Sequence, residues 1–248
     1  LIKKIESRLT AEDSVIRCAV VGSFRRMKET IGDIDILVST KEPEKVVNIF
    51  VNMPEVEEIK GKGKAKAFVE LSNGIGVDLL VVPQESFGSA SQYFTGNKDH
   101  NISLRNLAIS IGLHLNEWGL FTKKGKQIAG DDEQEIYEKL HLEYIPPELR
   151  ENCGEIEYFS NNQKERLDLI DYSDLKGDLH THSEKTDGTV SIKDMALQAR
   201  KKFGLDYIAI TDHTKSLRLA NGLNENQLLD QINKVQELND VINEYSTD

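Results

Sequence analysis

The sequence predicts two parts of different fold class: a mixed α/β and α+β part over residues 1–150, and the first strand–helix–strand–helix section of a parallel α/β layer near the carboxyl end. In the first part, β-branched runs such as VIRCAVVGS and DIDILVS have strand length and alternate with segments of helical spacing. In the second part, the order of elements favours parallel strands joined by helices, an arrangement that also builds barrels.

The elements of the first part follow from hydrophobic spacing and turn residues. PEKVVNIFVNM has helical spacing, and KAKAFVELSNGIGVDLLVVP predicts two strands joined by a turn at residues 72–74. A helix is expected over residues 98–112, with His100 at the surface. DDEQEIYEKLHL begins with acidic residues, as helix starts prefer, and we interpret this run as solvated rather than as a metal site.

A polar, poorly periodic stretch at residues 151–176 is interpreted as a linker to the second part, residues 177–248. GDLHTHS predicts a short strand. Ser191 is expected to cap a helix that runs to about Phe203, and Gly204 suits the end of that helix. DYIAIT predicts a buried strand, and apolar residues at helical spacing from Asn224 onward predict an amphipathic helix.

Composition excludes several classes of protein. The 248 residues are 38% hydrophobic and 29% charged, which is typical of a globular protein. No apolar run is long enough to cross a bilayer, so no membrane partner is expected. Cys18 and Cys153 lie far apart and indicate no disulfide scaffold, so we expect a cytoplasmic setting. We also expect a monomer. Because the chain does not begin with Met, we expect that it starts inside a longer protein.

The net charge of −11 does not by itself indicate a nucleic-acid binder, which needs local positive charge. The candidate region is IKGKGKAKAF, in which every second residue from Lys60 to Lys66 is a lysine. On one strand these lysines would share a face directed toward a nucleic-acid backbone. A solvated edge strand protected by lysines is an equally good interpretation.

A first group of polar residues carries the chemistry of a metal site. Asp33 and Asp35 are two residues apart on a predicted strand whose intervening residues are apolar, so both carboxylates point to the face away from the core. Such a pair repels itself unless a cation binds, and Mg²⁺ prefers oxygen ligands. Asp78 precedes the apolar run LLVV, and a neighbouring strand would bring it beside the other two carboxylates.

Upstream of this group, Gly22 and Ser23 end an apolar strand and lead into two arginines. A strand-to-helix turn of this kind exposes backbone N–H groups to phosphate oxygens, and an arginine binds them bidentately. A phosphate cradle beside clustered carboxylates is the equipment of in-line displacement by two metal ions.

These segments resemble the family X DNA polymerases. GSFRRMKETIGDIDILV resembles the nucleotidyltransferase signature of that family, and the likeness continues through VDLLVVP, YFTGNKDHN and HLNEWGLF. The resemblance implies a nucleotidyltransferase-fold palm over residues 1–88 and a C-terminal polymerase subdomain over residues 89–150 that contacts the nucleotide and the nascent base pair. It also implies template-directed addition of deoxynucleoside triphosphates to a primer 3′-OH, with primer–template or gapped DNA as partner and gap-filling repair as the role.

The resemblance assigns roles residue by residue. Asp33, Asp35 and Asp78 would bind two Mg²⁺ (or Mn²⁺) ions, with Asp78 nearest the primer 3′-OH. The residues that would contact the incoming nucleotide form three sets. The triphosphate would be contacted by Gly22, Ser23, Arg26 and Gly32, and the sugar by Tyr93, Phe94 and Gly96. The minor groove around the nascent base pair would be contacted by Asn101 and Arg105. Asn101 and Arg105 are four residues apart on a predicted helix and therefore share a face.

A second group of ligand-type residues occurs in the second part. His180 and His182 alternate on one strand, Asp187 follows in a turn, and His213 ends the next strand. The carboxyl ends of strands are where α/β barrels place catalytic groups. Imidazole together with carboxylate suits Zn²⁺ or Mn²⁺.

GDLHTHSEKTDG and AITDHT resemble the first two motifs of PHP phosphoesterases, domains that prokaryotic family X polymerases carry after the polymerase. The resemblance implies the first βαβα part of a PHP (β/α) barrel, with 3′–5′ exonuclease and related phosphoesterase chemistry in the longer protein. Asp178 and Asp212 would orient the ligands. Because the sequence stops at Asp248, before the later PHP ligands, we expect this site to be incomplete and inactive in the 248-residue chain.

Two other functions remain open at this point. One is another nucleotidyltransferase of the same fold, either template-independent or acting on a small molecule. The other is an inactive scaffold that binds metal or DNA. The three aspartates and the Gly-Ser turn do not separate these functions, whereas the YFTG segment with Asn101 and Arg105 favours an enzyme that reads a base pair. The DNA-binding and lyase region that precedes the palm in the family is not part of the sequence.

Overall fold

The computed structural model describes residues 1–160 and 167–244, with side chains described to residue 241. The chain divides into two compact units, Leu1–Arg166 and Leu167–Asp248. Residues 161–166 of the predicted linker and residues 245–248 lie outside the described residues. Among the described helices, none is long and apolar enough to cross a membrane.

The first unit contains two sheets with helices packed against them. Its helices are α1 (Ile2–Thr10), α2 (Gly22–Arg25), α3 (Pro43–Val51), α4 (Phe87–Thr95), α5 (Lys98–Ser110), α6 (Glu133–Lys139) and α7 (Glu155–Ser160). Its strands are β1 (Val15–Val20), β2 (Asp33–Thr40), β3 (Val56–Lys62), β4 (Lys66–Leu71), β5 (Gly76–Val82), β6 (Leu113–Asn116), β7 (Gly119–Thr122) and β8 (Gln127–Ala129).

The larger sheet has the order β1-β2-β5-β4-β3. Strands β2 and β5 are parallel, and β4 pairs with β5 in the antiparallel hairpin that the turn at residues 72–74 predicts. Strands β3 and β4 are separate antiparallel strands with irregular register. The expectation that four lysines share a face of one strand is therefore wrong, since Lys60 and Lys62 belong to β3 and Lys66 belongs to β4.

One face of this sheet forms the main core. The spacing of two between apolar residues in β2 and β5 directs alternate side chains to helices α1 and α3, which cover that face. The buried residues that meet there include Ile5, Leu9, Ile34, Ile36, Val38, Val46, Phe50, Val69, Val77 and Leu79. On the opposite face, Leu37 packs with Phe87 and Ala90 of α4 in a smaller cluster. Polar residues of β2 on the same face as Leu37 are therefore outside the main core and available to bind a ligand.

A second core lies between the sheet β6-β7-β8 and helices α5, α6 and α7. Ile156 of α7 is buried in it, so residues 155–160 belong to the first unit and not to a linker that begins at residue 151. His100 is also buried, against the expectation of surface placement, because its Nδ1 lies 2.6 Å from Glu155 Oε1 and its Nε2 lies 3.2 Å from the Tyr137 hydroxyl. These partners belong to segments that are distant in the sequence, so the residues near His100 do not predict them.

The second unit contains β9 (Gly177–Thr181), α8 (Ile192–Phe203), β10 (Tyr207–Ile210) and α9 (Glu225–Glu244). β9 and β10 are parallel, as the order of elements predicts. The Ser191 side chain accepts the backbone N–H of Asp194 at the start of α8, and Gly204 ends that helix in the left-handed conformation. β10 is not the buried strand that DYIAIT predicts, because Tyr207 is exposed and the other three residues are half-buried.

Candidate active site and metal centre

The three predicted carboxylates lie on adjacent strands. β2 and β5 run parallel in register, so that Asp35 is the direct neighbour of Asp78 and Asp33 is the neighbour of Gly76. The apolar residues that alternate with these aspartates point into the main core. The carboxylates therefore share the opposite face of the sheet, as the spacing of two in the sequence predicts.

The electrostatics of this group favour a bound cation. Burial and the charges of Asp33 and Asp78 together raise the pKa of Asp35 to about 6, against the opposing effect of Arg26. The pKa of Asp78 is also raised, by burial and by Asp33, while Lys66 lowers it. A divalent cation would remove the repulsion that these shifts express, and a set of carboxylate oxygens is the donor set that Mg²⁺ prefers.

The turn from β1 into α2 brings backbone close to this group. Gly22 has φ of +67°, a conformation that L side chains rarely adopt, and a Cβ at this position would fall on Oδ2 of Asp35. Glycine is therefore required for the turn to approach the carboxylate. The short α2 that follows carries Ser23 and ends next to Arg26.

A cleft of about 350 Å³ adjoins the carboxylates. It collects most of the residues that the resemblance assigned to catalysis or nucleotide contact, and it adds Asn97 and Lys98, which the sequence did not single out. Its lining comprises Gly22, Ser23, Arg26, Asp33, Asp35, Tyr93, Phe94, Gly96, Asn97, Lys98, Asn101 and Arg105. Asp78 is not part of this lining, and neither is Gly32, which is exposed and has no atom within 4 Å of a Cβ built on it.

Arg26 is held at the side of the cleft by two acceptors. Its Nε donates to Glu151 Oε1 at 2.9 Å, and its Nη1 donates to the Thr95 carbonyl at 2.5 Å. Glu151 also accepts a hydrogen bond from Asn97 Nδ2 at 3.1 Å and lies 3.5 Å from Lys28 Nζ. No sequence motif marks Glu151, which lies 125 residues from Arg26.

A hydrogen bond joins the two segments to which the resemblance assigns contacts with the sugar and with the base pair. Asn101 Nδ2 donates to the Tyr93 carbonyl at 2.6 Å, and its Oδ1 accepts from the buried Gln92 at 2.7 Å. The guanidinium of Arg105 lies 5.9 Å from the centre of the Tyr93 ring. Phe94 lines the cleft and also packs against the smaller hydrophobic cluster, so it serves the core as well. Gln92 is a further residue that sequence reasoning missed.

The second unit brings three of the four predicted histidine-site ligands together. The ligand atoms of His182, Asp187 and His213 all lie within 4.8 Å of one another, and across the described ranges 1–160 and 167–244 no other group of three or more His, Cys, Asp or Glu residues meets that limit. His180 is adjacent, with its ring centre 5.0 Å from that of His182. The three aspartates of the first unit are spread more widely than this, as repulsion between like charges favours.

The geometry of this second group suits a metal ion. Asp187 faces both rings, at 3.4 Å from His182 Nδ1 and 3.3 Å from His213 Nε2. The rings of His182 and His213 stack with centres 4.5 Å apart. His182 Nδ1 is buried without a hydrogen bond, since its distance to Asp187 is short but the alignment is not that of a hydrogen bond. An unpaired nitrogen beside a second imidazole and a carboxylate forms a donor set for Zn²⁺ or Mn²⁺.

The two aspartates that the resemblance placed behind these ligands contact backbone and hydroxyl groups instead of imidazoles. Asp178 accepts the backbone N–H of His180 at 3.0 Å. Asp212 accepts the hydroxyls of Ser183 and Thr186 at 2.5 and 2.6 Å. Asp212 therefore holds the loop that carries Asp187, which orients the ligand through the backbone.

Comparison with known proteins covers both halves of the first unit. Residues 1–69 match the DNA polymerase beta palm, and residues 90–151 match the DNA polymerase beta thumb. The chain is 36% identical to the DNA polymerase/3′-5′ exonuclease PolX of Bacillus subtilis (strain 168), over 96% of this chain and 42% of that protein. It is 27% identical to DNA polymerase lambda of Rattus norvegicus, over 54% of this chain and 28% of that protein.

A third relative, the DNA-directed DNA/RNA polymerase mu of Homo sapiens, is 38% identical over 31% of this chain and 16% of that protein. The chain thus spans less than half the length of these relatives. The two matched domains contain the strand that carries Asp33 and Asp35 and the cleft segment that begins at Tyr93. With palm, thumb and relatives in agreement, the chain belongs to the family X DNA polymerases.

Proposed function

We propose that this chain carries the nucleotidyl-transfer site of a template-directed DNA polymerase that adds deoxynucleotides to a primer 3′-OH, with gapped or primed DNA as partner. The observation that carries the proposal is the cleft beside Asp33 and Asp35, which gathers phosphate-binding and base-facing residues from two separate cores. The cellular role that fits is gap filling during repair by a cytoplasmic monomer.

In this proposal, Asp33, Asp35 and Asp78 hold two Mg²⁺ (or Mn²⁺) ions. The ions supply charge neutralisation for the triphosphate and the attacking oxygen when they are bound. The chain's own residues do the rest: Arg26 binds phosphate oxygens, and Gly22 lets backbone N–H groups approach them. Asp78 lies on the strand next to Asp35 and outside the cleft lining, which suits a role toward the primer end.

The other side of the cleft selects the nucleotide. Tyr93 and Phe94 line it where a sugar would lie, and their bulk opposes a ribose 2′-OH. Asn101 and Arg105 present N–H groups, and the minor-groove edge of every base offers an acceptor. Such contacts test the shape of a base pair without reading its sequence. A small-molecule transferase has no use for this arrangement.

Primer extension on a short-gap substrate tests the proposal. The wild-type chain is expected to insert the deoxynucleotide that the template dictates, and Asp78→Ala is expected to abolish insertion. Asp13→Ala is the matched control, because Asp13 is exposed and has no ion pair among the residues described. Insertion that ignores the template would favour a template-independent transferase, and no insertion by the wild type would favour a scaffold. Full activity of Asp78→Ala would contradict the role of Asp78.

We further propose that His182, Asp187 and His213 hold a Zn²⁺ or Mn²⁺ ion of a PHP-type phosphoesterase site, with His180 beside them. The convergence of their ligand atoms and the unpaired Nδ1 of His182 support this function. Calorimetric titration of the chelator-treated chain with Zn²⁺ is expected to show a site that His182→Ala removes. His114→Ala, at an exposed histidine of the first unit, is expected to retain that site. Equal Zn²⁺ binding by wild type and His182→Ala would contradict the assignment.

A further inference from the structure

Glu151 is the acidic residue that contacts the cleft arginine. Its Oε1 accepts Nε of Arg26 at 2.9 Å, and its Oε2 accepts Asn97 Nδ2 at 3.1 Å. Burial would raise the pKa of Glu151, but the hydrogen bond and charge of Arg26, together with Lys28 and Asn97, lower it. Glu151 is therefore a carboxylate that stays ionised next to a guanidinium expected to bind an anionic ligand.

The contacts use two of the three guanidinium nitrogens. Nε is bound to Glu151, and Nη1 is bound to the Thr95 carbonyl at 2.5 Å. Within the described parts of the chain, Nη2 has no hydrogen-bond partner. A guanidinium has five N–H donors in a rigid fork, so fixing two of them sets the direction of the others. Arg26 lines the cleft beside Asp35, so its free Nη2 can bind a ligand there.

The backbone beneath the guanidinium fits the same arrangement. A Cβ at Gly96 would lie 3.2 Å from Arg26 Nη1, so the absence of a side chain at this position leaves room for the planar group. Asn97 follows directly, caps α5 by accepting the backbone N–H of His100, and donates to Glu151. Three consecutive residues, Thr95 to Asn97, thus support the arginine and its carboxylate partner together.

We propose that Glu151 is a positioning residue that orients Arg26 for the triphosphate of the incoming nucleotide. The inference rests on the proposed polymerase function and adds a residue from the end of the thumb to the nucleotide site. In the alternative, Glu151 blocks Arg26, and the nucleotide must displace Glu151 before it binds. That arrangement would leave Nη2 of Arg26 without a defined role. An arginine that is free to rotate loses rotamer freedom when it binds a phosphate. Because Glu151 already orients Arg26, the entropic cost of binding the phosphate is lower.

Equilibrium binding of dGTP to the full chain, in the presence of Mg²⁺, tests the inference. Glu151→Ala is expected to raise the Kd for dGTP about tenfold, because one charge-assisted hydrogen bond that orients Arg26 is lost. Glu151→Gln keeps an acceptor for Nε and is expected to recover part of that loss. The matched control is Glu148→Ala, which removes an exposed carboxylate three residues away without an ion pair among the residues described.

Three further measurements separate positioning from a general structural effect. Binding of dGMP, which lacks the outer phosphates, is expected to change less than about twofold. In the Arg26→Ala background, Glu151→Ala is expected to have no additional effect on the Kd for dGTP. In primer extension, the KM for the nucleotide is expected to rise with kcat nearly unchanged. An unchanged or lowered Kd for dGTP in Glu151→Ala would overturn the inference.

The outcome is distinguishable from failure of the proposed function. If the wild type extends primers, Asp78→Ala does not, and Glu151→Ala binds dGTP like the wild type, only the role of Glu151 fails. If the wild type shows no template-directed extension, the proposed function itself fails.

Discussion

Arg25 and Glu133 are 108 residues apart in the chain and form a salt bridge, with 2.7 Å between Nη2 and Oε2. The second oxygen of Glu133 binds Arg150, whose side chain is fully buried, at 2.5 Å. One carboxylate therefore links α2, at the edge of the larger sheet, to the second core of the first unit. Arg25 is also the neighbour of Arg26, so this link fixes the segment that carries the cleft arginine.

Loss of the Glu133 carboxylate is expected to lower the free energy of unfolding substantially. Glu133→Ala leaves Arg150 charged and fully buried, and breaking a buried ion pair in this way costs about 3–5 kcal/mol. Urea unfolding of the first unit measures the loss. Glu143→Ala, at an exposed carboxylate with no ion pair in the described part of the chain, is the control and is expected to unfold like the wild type. A loss below about 1 kcal/mol for Glu133→Ala would contradict the role of the pair.

The three carboxylates predict an unusual pH dependence of the free energy of unfolding when a chelator has removed metal ions from the protein. The pKa of Asp35 is raised from 3.8 to about 6 in the folded state, so the folded chain binds more protons than the unfolded chain between those values. Stability from this group is therefore present at low pH and is lost as pH rises toward 6. Because Asp35 is partly exposed, the effect is reduced by solvent to about 1 kcal/mol.

Asp35→Asn is expected to remove that dependence and to stabilise the chelated protein at pH 7. Urea unfolding in EDTA at several pH values measures the slope, and Asp13→Asn serves as the control at an exposed site. Added Mg²⁺ is expected to stabilise the wild type and not Asp35→Asn, because the cation loses a ligand. A slope that persists in Asp35→Asn would assign it to another group.

His100 predicts a dependence of stability on pH that is opposite in sign to that of Asp35. Burial lowers the pKa of His100 from its ordinary 6.5, and this outweighs the hydrogen bond that His100 donates to Glu155, which raises it. The unfolded chain therefore takes up this proton first, and stability is lost as pH falls below 6.5. His100→Gln is expected to flatten the loss between about pH 7 and pH 5, whereas His114→Gln, at an exposed position, leaves it intact. These slopes are best compared in the Asp35→Asn background.

Gly22 predicts a strong effect on activity from one added methyl group. In Gly22→Ala, the Cβ would collide with Asp35 Oδ2 and the residue would be strained at its positive φ. Primer extension is expected to lose at least about 100-fold in kcat/KM, because the turn and the carboxylate move apart. Gly61→Ala is the matched control, since nothing lies within 4 Å of a Cβ built at this position of β3, and it is expected to retain activity within about twofold. Equal losses in the two variants would contradict this explanation.

Local pattern predicted the elements that carry the carboxylates. The spacing of two in DIDILV and the apolar run after Asp78 predicted strands, and the structure confirms β2 and β5. The cap at Ser191 and the glycine at the end of α8 were predicted in the same way and are confirmed. These features depend on residues within a few positions of one another, so a single sequence contains the information.

Residues that act across long distances were missed. The sequence indicates that Glu133 belongs to a solvated acidic run, but Glu133 is buried because Arg25 and Arg150 neutralise it. Glu151 carried no motif, and its partner Arg26 is brought to it only when the second core forms against the sheet. A charged residue looks the same in sequence whether its partner is water or a distant arginine.

The sequence by itself determined that two aspartates on one strand and a third before an apolar run share a chemistry, because alternation along a strand fixes which face each side chain takes. Only the tertiary structure decided that β2 and β5 are neighbours in register, which makes Asp35 and Asp78 a pair. It also decided which side chains surround Arg26 and which of the histidine ligands converge. Strand order and long-range contacts are set by packing of the whole core, and that packing is not written in any local pattern.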